Sequence, residues 1–453
     1  MQALPRGLKG PRHTRSLRIL IIILIGLFLG PGVVLATETL TLRDCIDTAL
    51  KNQPSIRAAQ QTVHAAEGRE TQAVSPYYPQ VTASTGYSEN HQLGIQQGIA
   101  FGLPLGTTIG NVVTKSYTTS LSLNQVLYDF GKTGNALDAA RWSIRSSERD
   151  LDRTVQDVVL NVKQAYYGLL AAKKLVEVAQ KTIEQTEGHL KQAQAFFQAG
   201  SKPRFDVTRA EVEVNNARLG LINARNSVRI RTIVLNNAMG IDPGQLTEIE
   251  NALPAVSAVM TLEQAQADAL KDRPEMLKAE ADIETAKSRV SAEESNYFPT
   301  ISANGAYNWQ SGAQEVGSFK SDLQDTWNAG VMLTVPLFQG GLTRGRVSEA
   351  RANLITIEVQ RDATRQSILL EVNQSYTDME SAKVRIEVME STLQKARENL
   401  DIAQGRYEAG VGLYLEVTDA QLSAVNAETD RIQALYDYYL AAARLLKAIG
   451  YKE

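Results

Sequence analysis

Side chains that commonly carry out catalysis or bind metals are few in this chain. It has one cysteine, Cys45, and its four histidines are His13, His64, His91 and His189. A single cysteine excludes a disulfide scaffold, a cysteine-ligated zinc site and an iron–sulfur cluster, and scattered histidines disfavour a histidine-rich metal centre. We expect Cys45 to be a small buried residue on the first helix, and His64 and His189 to be surface residues on helices, far from any second metal ligand. The sequence therefore predicts no cofactor and no metal site.

Two short motifs match parts of catalytic signatures without their context. Gly131-Lys132-Thr133 ends like a phosphate-binding loop, but Val126 stands where that loop needs its first glycine. Asp129-Phe130-Gly131 matches one kinase motif, and the other kinase elements are missing. The sequence contains no HExxH, GxSxG or CxxC pattern. An enzyme with an unrecognised site is therefore the weakest of the possible functions, and we predict that the protein is not an enzyme.

The composition is that of a folded protein without a basic surface. Apolar residues make up 43% of the 453 residues and charged residues 21%, which supports a large core and argues against disorder. Lys and Arg number 47 against 50 Asp and Glu. A nucleic-acid-binding domain would need a marked excess of basic residues. We therefore expect no nucleic-acid partner.

The first 36 residues have the pattern of a secretory signal peptide. A basic segment is followed by the apolar run Ile19–Leu29 and by the small-residue site Val34-Leu35-Ala36. The alternative, an N-terminal membrane anchor, is disfavoured because the run is shorter than the ~20 residues of a spanning helix. Cleavage after Ala36 would remove five basic residues and change the formal net charge from −3 to −8. We predict an exported mature chain, 37–453.

The mature chain is one unit written twice. The segment 41–87 aligns with 261–307 at a constant shift of 220, and from residue 127 onward the shift is 210. The identities that carry this alignment are Ala49-Leu50-Lys51 with Ala269-Leu270-Lys271, Pro79 with Pro299, Tyr87 with Tyr307, Gly131 with Gly341 and Ala199-Gly200 with Ala409-Gly410. The two copies, about 41–253 and 261–450, predict a single domain with internal two-fold pseudo-symmetry.

Each copy contains a long helical hairpin. The stretches 105–202 and 337–453 contain no proline, the residue that breaks a helix most strongly. Apolar residues recur every seven positions, at Val155, Val162, Leu169, Val176, Ile183, Leu190 and Phe197, and at Val372, Met379, Ile386, Leu393, Leu400 and Tyr407. A seam of this length indicates a coiled coil. We predict long helices that end at Gly200 and Gly410, followed by return helices over about 204–239 and 414–449.

The segment before each long helix reads as a β-hairpin. Apolar residues alternate with small or polar ones over runs of about ten residues that begin near Val81, Tyr117, Ile301 and Trp327. This alternation is typical of membrane β-barrel strands, and the alternative is a soluble hairpin packed on helices. Four strands cannot close a barrel, and open edges are not tolerated in lipid. Two, three or four chains would supply eight, twelve or sixteen strands, and a conduit favours three or more.

These features together resemble the TolC-like outer-membrane efflux proteins. The motifs that carry the resemblance are Tyr78-Pro79-Gln80-Val81 and Tyr297-Phe298-Pro299-Thr300 at strand entry, 124–131 and 335–341 at strand exit, and Phe205-Asp206-Val207 and Leu415-Glu416-Val417 after the helical turns. The resemblance covers about 40–450. It implies a mixed α+β membrane protein, in which a homotrimer shares a 12-stranded outer-membrane barrel and coiled-coil hairpins form a periplasmic tunnel.

The resemblance also implies function and partners. Such a protein is a passive outer-membrane exit duct of a tripartite efflux or type I secretion system, in contact with outer-membrane lipid, a periplasmic adaptor and an inner-membrane pump. Its helical turns are the expected docking sites, at Gly200, Ser201 and Lys202 in the first copy and at Gly410, Val411, Gly412, Leu413, Tyr414 and Leu415 in the second. Exposed apolar residues in the second turn suit a partner's helical tip. The alternative is a plain turn between helices.

The resemblance places a gate beside these turns. Asp206, Glu416 and Asp419 occupy positions that form acidic rings at the periplasmic mouth of family members. Tyr407 matches a tyrosine that holds the mouth shut, and we expect it to act through Asp206. Like charges around a narrow axis favour proton or cation binding. The family's nearby arginine is replaced by Gly412, and Arg204 and Arg209 are candidates to substitute for it. The alternative role of these acids is to stabilise helix N-termini.

One alternative function of a different class remains at this stage. A secreted coiled-coil adhesin or scaffold without transport activity would also carry a signal peptide and long helices. It would not need strands with an apolar outward face. Recovery of the protein from the outer-membrane fraction by detergent would distinguish the duct from a freely soluble product.

Overall fold

The computed structural model describes residues 39–100, 103–251, 260–314 and 319–451, with side chains described except at 92–114 and 312–324. The predicted signal peptide, 1–36, lies outside the described residues. Two copies of the same element order follow each other. The first comprises α1 (Leu42–Asn52), α2 (Pro54–Val74), β1 (Gln80–Ala100), β2 (Leu103–Tyr128), α3 (Lys132–Gln198) and α4 (Arg204–Met239). The second comprises α5 (Leu262–Asp272), α6 (Pro274–Glu294), β3 (Thr300–Gln314), β4 (Phe319–Thr334), α7 (Leu342–Glu408) and α8 (Tyr414–Ala448).

The long helices end where the sequence predicts, just before Gly200 and Gly410. Helices α3 and α7 contain 67 residues each, which corresponds to about 100 Å at ~1.5 Å per residue. Their heptad seams are buried most fully at Val162 and Leu169 in α3 and at Val372 in α7, each at 0% exposure, whereas Phe197 near the end of α3 is 44% exposed. The return helices α4 and α8 complete two helical hairpins. Within the described residues, no helix combines the length and the apolar character that crossing a membrane requires.

The motif-like residues before α3 form the start of that helix. Phe130 and Gly131 have positive φ angles of 55° and 89°, so the chain turns sharply there. The Asp129 carboxylate accepts hydrogen bonds from the backbone N–H and the hydroxyl of Thr133. Gly340 and Gly341 adopt the same conformation before α7. The residue types at Asp129, Gly131 and Thr133 are thus explained by the turn into α3 and its capping.

The four strands form one antiparallel sheet in the order β1-β2-β3-β4. One row of neighbouring residues across it is Ala83, Leu121, Tyr307 and Trp327, and the adjacent row is Ser84, Ser120, Asn308 and Thr326. One face is therefore apolar and the other polar, as predicted. The strands are 15 to 26 residues long, so the expectation of about ten residues is wrong. The extra residues of the first copy lengthen its strands, because a paired backbone satisfies its hydrogen bonds without water.

The helices of the two copies are buried to different extents. Helix α3 is central, since it packs against α6 and α8 of the second copy as well as against α1, α2 and α4. Helix α7, in contrast, packs against α5, α6 and α8 of its own copy and makes no extensive contact with the described helices of the first copy. As a result, 17 residues of α3 are buried but only 10 of α7. Exposed apolar residues on α4 are Val212, Leu219, Ile222, Ile230, Ile233 and Val234, and on α7 they are Ile355, Val359, Leu370, Val384, Val388 and Ile402.

Candidate functional site

The two helical turns have the same backbone geometry. Gly200 and Gly410 end their helices with φ angles of 73° and 80°, a conformation that favours glycine. In the first turn the N–H of Ser201 donates to the carbonyl of Phe196 at 3.0 Å, and in the second Val411 donates to Arg406 at 3.1 Å. The internal repeat therefore extends to the hydrogen bonds of the turns.

Gly412 is required by the close packing of the second turn. Its N–H donates to the carbonyl of Arg406 at 2.9 Å, and a Cβ atom at this position would lie 2.9 Å from the backbone nitrogen of Tyr407. A side chain at 412 would force the turn away from the end of α7. The arginine that the family resemblance predicts here would therefore not fit the second turn as it is packed in this chain.

The structure brings Tyr407 and Asp206 together between the two hairpins. The Tyr407 hydroxyl donates to Oδ2 of Asp206 at 3.3 Å, and the two residues are 1% and 8% exposed. Burial, and secondly the Asp206 charge, raise the pKa of Tyr407, so the phenol stays protonated and remains a donor. The rings of Phe196 and Tyr414 pack on Tyr407 with centroids 5.6 and 5.5 Å away. The predicted contact is present, and the gating role assigned to it stays a prediction.

Lys202 is a cation that contacts both turns, and the sequence suggested only Arg204 and Arg209 for this position. Its Nζ donates to the carbonyl of Gly412 at 3.2 Å and lies 5.0 Å from the centre of the Tyr407 ring. Lys202 therefore joins the turn of the first hairpin to the turn of the second. A signal for it was present in the sequence, because Lys202 is the counterpart of Gly412 at the repeat shift of 210.

The other two acidic residues lie apart from this contact. Oε2 of Glu416 is 3.3 Å from Nε of Arg406, an ion pair within the second hairpin. Asp419 is exposed on the same helix. Among the described residues, no hydrogen bond or ion pair links either of them to Asp206 or Tyr407. The predicted gate residues thus form one buried pair between hairpins and two acids on α8.

The tips of the hairpins carry an apolar surface, which we call the tip patch and define as Phe205, Val411, Leu413 and Leu415. These side chains are 66%, 73%, 64% and 43% exposed. Tyr414 is only 3% exposed and packs inside, so the expectation that it is an exposed docking residue is wrong. Its side chain is the first of α8 to point back into the core formed with Tyr407.

Further polar contacts join the hairpins above the turns. Gln192 on α3 donates to Glu408 on α7 at 3.2 Å, and Gln421 on α8 donates to Gln185 on α3 at 2.8 Å. Nε2 of His189 lies 3.3 Å from the side-chain nitrogen of Gln404. His189 is therefore an interhelical residue, and the expectation that it is a surface residue is wrong. Burial lowers its pKa more strongly than a neighbouring Gln421 raises it.

Comparisons with known proteins agree with this architecture. A family model described as outer membrane efflux protein matches residues 45–241 and 266–451. The outer membrane efflux protein BepC of Brucella suis is 23% identical, over 92% of this chain and 87% of the relative. The alkaline protease secretion protein AprF of Pseudomonas aeruginosa is 27% identical, over 73% and 69%.

A solved structure shares the fold. The crystal structure of CusC superposes with a TM-score of 0.77 and 20% identity, over 91% of this chain and 92% of that one. The match to an efflux-protein family gives no support to the alternative of a coiled-coil adhesin or scaffold.

Proposed function

The chain belongs to the outer membrane efflux protein family and is an outer-membrane efflux channel, and we propose that three copies form one continuous duct. Each copy would contribute its four strands to a twelve-stranded barrel and its two helical hairpins to a periplasmic tunnel. The duct is passive, with 37–453 acting as one domain. The observation that supports this proposal is the internal repeat. The first copy contacts the second copy through one set of surfaces, and the equivalent surfaces of the second copy have no partner within the described residues.

The internal contacts between copies of the repeat predict how neighbouring chains meet. Within the chain, β2 of the first copy pairs with β3 of the second, and α3 packs on α6 and α8. Their counterparts β4 and α7 have no such neighbours among the described residues. If the same packing recurs, β4 meets β1 of the next chain and α7 meets its α2 and α4. The exposed apolar faces of α4 and α7 would then be covered, and no sheet edge would remain open.

The repeat also fixes the strand register between chains. Leu121 pairs with Tyr307 across the β2–β3 boundary. Applying the shifts of 210 and 220 converts this pair into Val331 and Tyr87 of the next chain. The shifts hold within the sheet, because Tyr87 pairs with Tyr117 and Tyr307 pairs with Trp327. Val331 and Tyr87 are 70% and 51% exposed on the apolar face of the isolated chain.

Cysteine cross-linking tests this arrangement. With Val331→Cys and Tyr87→Cys in one chain, we expect a short thiol-reactive cross-linker to join neighbouring chains into covalent dimers and trimers, since Cβ atoms of directly paired residues lie about 5 Å apart. Cys45 is buried and does not compete. The readout is the ladder on a denaturing gel, which should end at the trimer.

A displaced pair provides the control for the register. Val331→Cys with Ala83→Cys keeps both thiols on the apolar face but separates them by about 13 Å along the strand. Equal cross-linking of both pairs would contradict the register. A ladder that ends at two or four chains would contradict the trimer.

We infer that the duct is closed at its periplasmic end by the contacts between hairpins. The buried Tyr407–Asp206 contact and the Lys202–Gly412 contact both join the first hairpin to the second, so the hairpins separate only if both break. Glu416 and Asp419 would form acidic rings on the inner surface of the mouth. The tip patch would dock a periplasmic adaptor that connects the duct to an inner-membrane pump.

Removing the Lys202 cation should weaken closure. In Lys202→Met the apolar stem remains, but the hydrogen bond to Gly412 and the cation–π contact with Tyr407 are lost, together about 0.5–1.5 kcal/mol. We expect the open probability in single-channel recordings to rise roughly two- to tenfold. Lys202→Arg should retain most of the closure because it keeps the charge.

Lys191→Met serves as the matched control, because Lys191 is an exposed lysine on α3. A Lys202→Met channel with unchanged recordings would remove Lys202 from the closure.

A further inference from the structure

A cavity of about 390 Å³ lies between α3, α4 and α8, above the helical turns. Its volume is within the ~300–1,000 Å³ range of small-molecule sites. The walls are mainly apolar, and Leu175, Val178, Val417, Leu422 and Val425 are among the residues that line it. The first hairpin supplies two of its walls and the second supplies the third. The cavity therefore exists only while the hairpins are packed together.

One buried polar group in this cavity has an unused hydrogen-bonding position. Gln421 is 7% exposed, and its side-chain nitrogen donates to Gln185 at 2.8 Å. Its Oε1 is buried and accepts no hydrogen bond of normal geometry from the described residues, although the side chain lies close enough to His189 to raise the pKa of that imidazole. A buried acceptor without a donor is costly, by about 1–3 kcal/mol for a typical group. A ligand that brings an N–H group would satisfy it.

The charge of the lining favours a cation. Glu213 on α4 is the single Asp, Glu, Lys or Arg among the residues that line the cavity. Among the described residues it has no ion pair within 4.0 Å. Burial, then the charges of Glu213 and Asp206, raise the pKa of Tyr414 to about 12 against the opposing effect of Arg209, so Glu213 lies close to that phenol. His189 also lines the cavity, and burial lowers its pKa, so it is neutral at pH 7. Arg209, one turn before Glu213 on α4, also acts on Tyr414 but does not line the cavity, so Glu213 is the fixed charge of the described lining.

We propose that this cavity binds a small amphipathic organic cation, with an ammonium N–H between Gln421 and Glu213 and an apolar body against the valine and leucine side chains. A neutral or anionic ligand would leave either the Gln421 acceptor or the Glu213 charge without a partner. Cation recognition by one carboxylate inside an apolar site is strengthened by the reduced solvation there.

Such a ligand would hold the two hairpins together. Tyr414 and Val417 line the cavity and also belong to the core that surrounds Tyr407. A ligand that binds only the packed hairpins shifts the equilibrium toward them. This consequence rests on the proposed closure of the duct by hairpin contacts, whereas binding itself does not depend on it.

Binding can be measured on the purified full-length protein in lipid nanodiscs. Dansyl-ethylenediamine, which carries an ammonium group, and dansylamide, which lacks it, are followed by their fluorescence. We expect the charged probe to bind about tenfold more tightly, the size of one favourable ionic contact in a partly buried site. Glu213→Gln should weaken binding of the charged probe and leave dansylamide nearly unchanged. Gln421→Leu should weaken binding of both probes, because each carries an N–H group that can donate to Gln421.

A pair of glycine substitutions tests whether the cavity itself is occupied. Gly220 lines the cavity with open space around it, so Gly220→Leu should fill it and abolish binding of both probes. Gly188→Leu is the matched control, because Gly188 also has open space around it but does not line the cavity. Both changes improve helix propensity and should not impair folding.

Two measurements separate the failure of this proposal from that of the closure. Equal affinity for the two probes in the unmodified protein, or unchanged binding by Gly220→Leu, would overturn the cation site. Tight binding of the charged probe with no fall in open probability would leave the site standing and contradict the role of the hairpins in closure.

Discussion

A channel in which every chain carries both Asp206→Ala and Tyr407→Phe should be mostly open, whereas the unmodified channel should be mostly closed. The double variant removes a buried hydrogen bond to a charged group, which contributes about 1.5 kcal/mol or more, or roughly tenfold for each contact. If three contacts act around one axis, the effects multiply. We expect a large rise in closed-state conductance in planar bilayers, greater than that of Lys202→Met, with unchanged trimer assembly.

The matched control for this variant is Asp401→Ala with Tyr376→Phe. Asp401 is exposed on α7, and the Tyr376 hydroxyl donates to the carbonyl of Met260 at 3.4 Å, away from the turns. This variant makes the same chemical changes without touching the hairpin contact. Equal conductance of the two double variants would show that the constriction lies elsewhere.

Glu416 and Asp419 on α8 should affect ion selectivity and cation block more than they affect closure of the channel. Neutralising Glu416 and Asp419 as Gln and Asn removes charge from the mouth but leaves the Tyr407–Asp206 contact in place. We expect weaker cation selectivity and weaker block by multivalent cations, because carboxylate rings attract such ions. Unchanged selectivity and block would indicate that these acids only stabilise the start of α8.

Adding charge to the tip patch should abolish export without disturbing the channel itself. In Val411→Glu with Leu413→Glu, two exposed side chains become anionic, and burying them in an apolar contact would cost ~2–5 kcal/mol, about 30-fold or more in affinity. Leu413 immediately precedes α8, where a negative charge favours the helix. We expect loss of outward transport in cells that contain the adaptor and pump, and loss of adaptor binding by the purified trimer.

These positions are better targets than Gly410. Any side chain at Gly410 would strain a backbone with φ of 80°, so a loss of export there would have two explanations. Leu246→Glu is the control, since Leu246 is 86% exposed and follows α4 at the end opposite the turns. Full export by the double tip variant would contradict docking at this surface.

Periodicity in the sequence determined the elements of this fold. The seven-residue spacing of Val155, Val162 and Leu169 could only be satisfied by a long helix with one buried seam, and the two-residue alternation from Val81 to Tyr87 by a strand with two unlike faces. The glycines at 200 and 410 fixed the ends of the long helices because they adopt positive φ angles. Strand lengths were underestimated, since a strand can continue through weak alternation when a neighbour pairs with it.

Residues at the turns depended on tertiary structure instead. Tyr414 and Leu413 are adjacent apolar residues, but one is buried and the other exposed, because the direction in which α8 leaves the turn decides which side faces Tyr407. His189 is likewise interhelical because α7 packs so that Gln404 lies beside it.

The sequence by itself determined the repeat, the hairpins and the family, and the Tyr407–Asp206 pairing was expected only from the family resemblance. Only the tertiary structure decided that Lys202 reaches Gly412 and that Gln421 leaves an acceptor unused inside a cavity. The physical reason is the separation along the sequence between the residues that interact. Helices and strands follow from spacing along the chain, whereas these contacts join residues about 200 positions apart, and they form only after two hairpins pack at a particular angle and register.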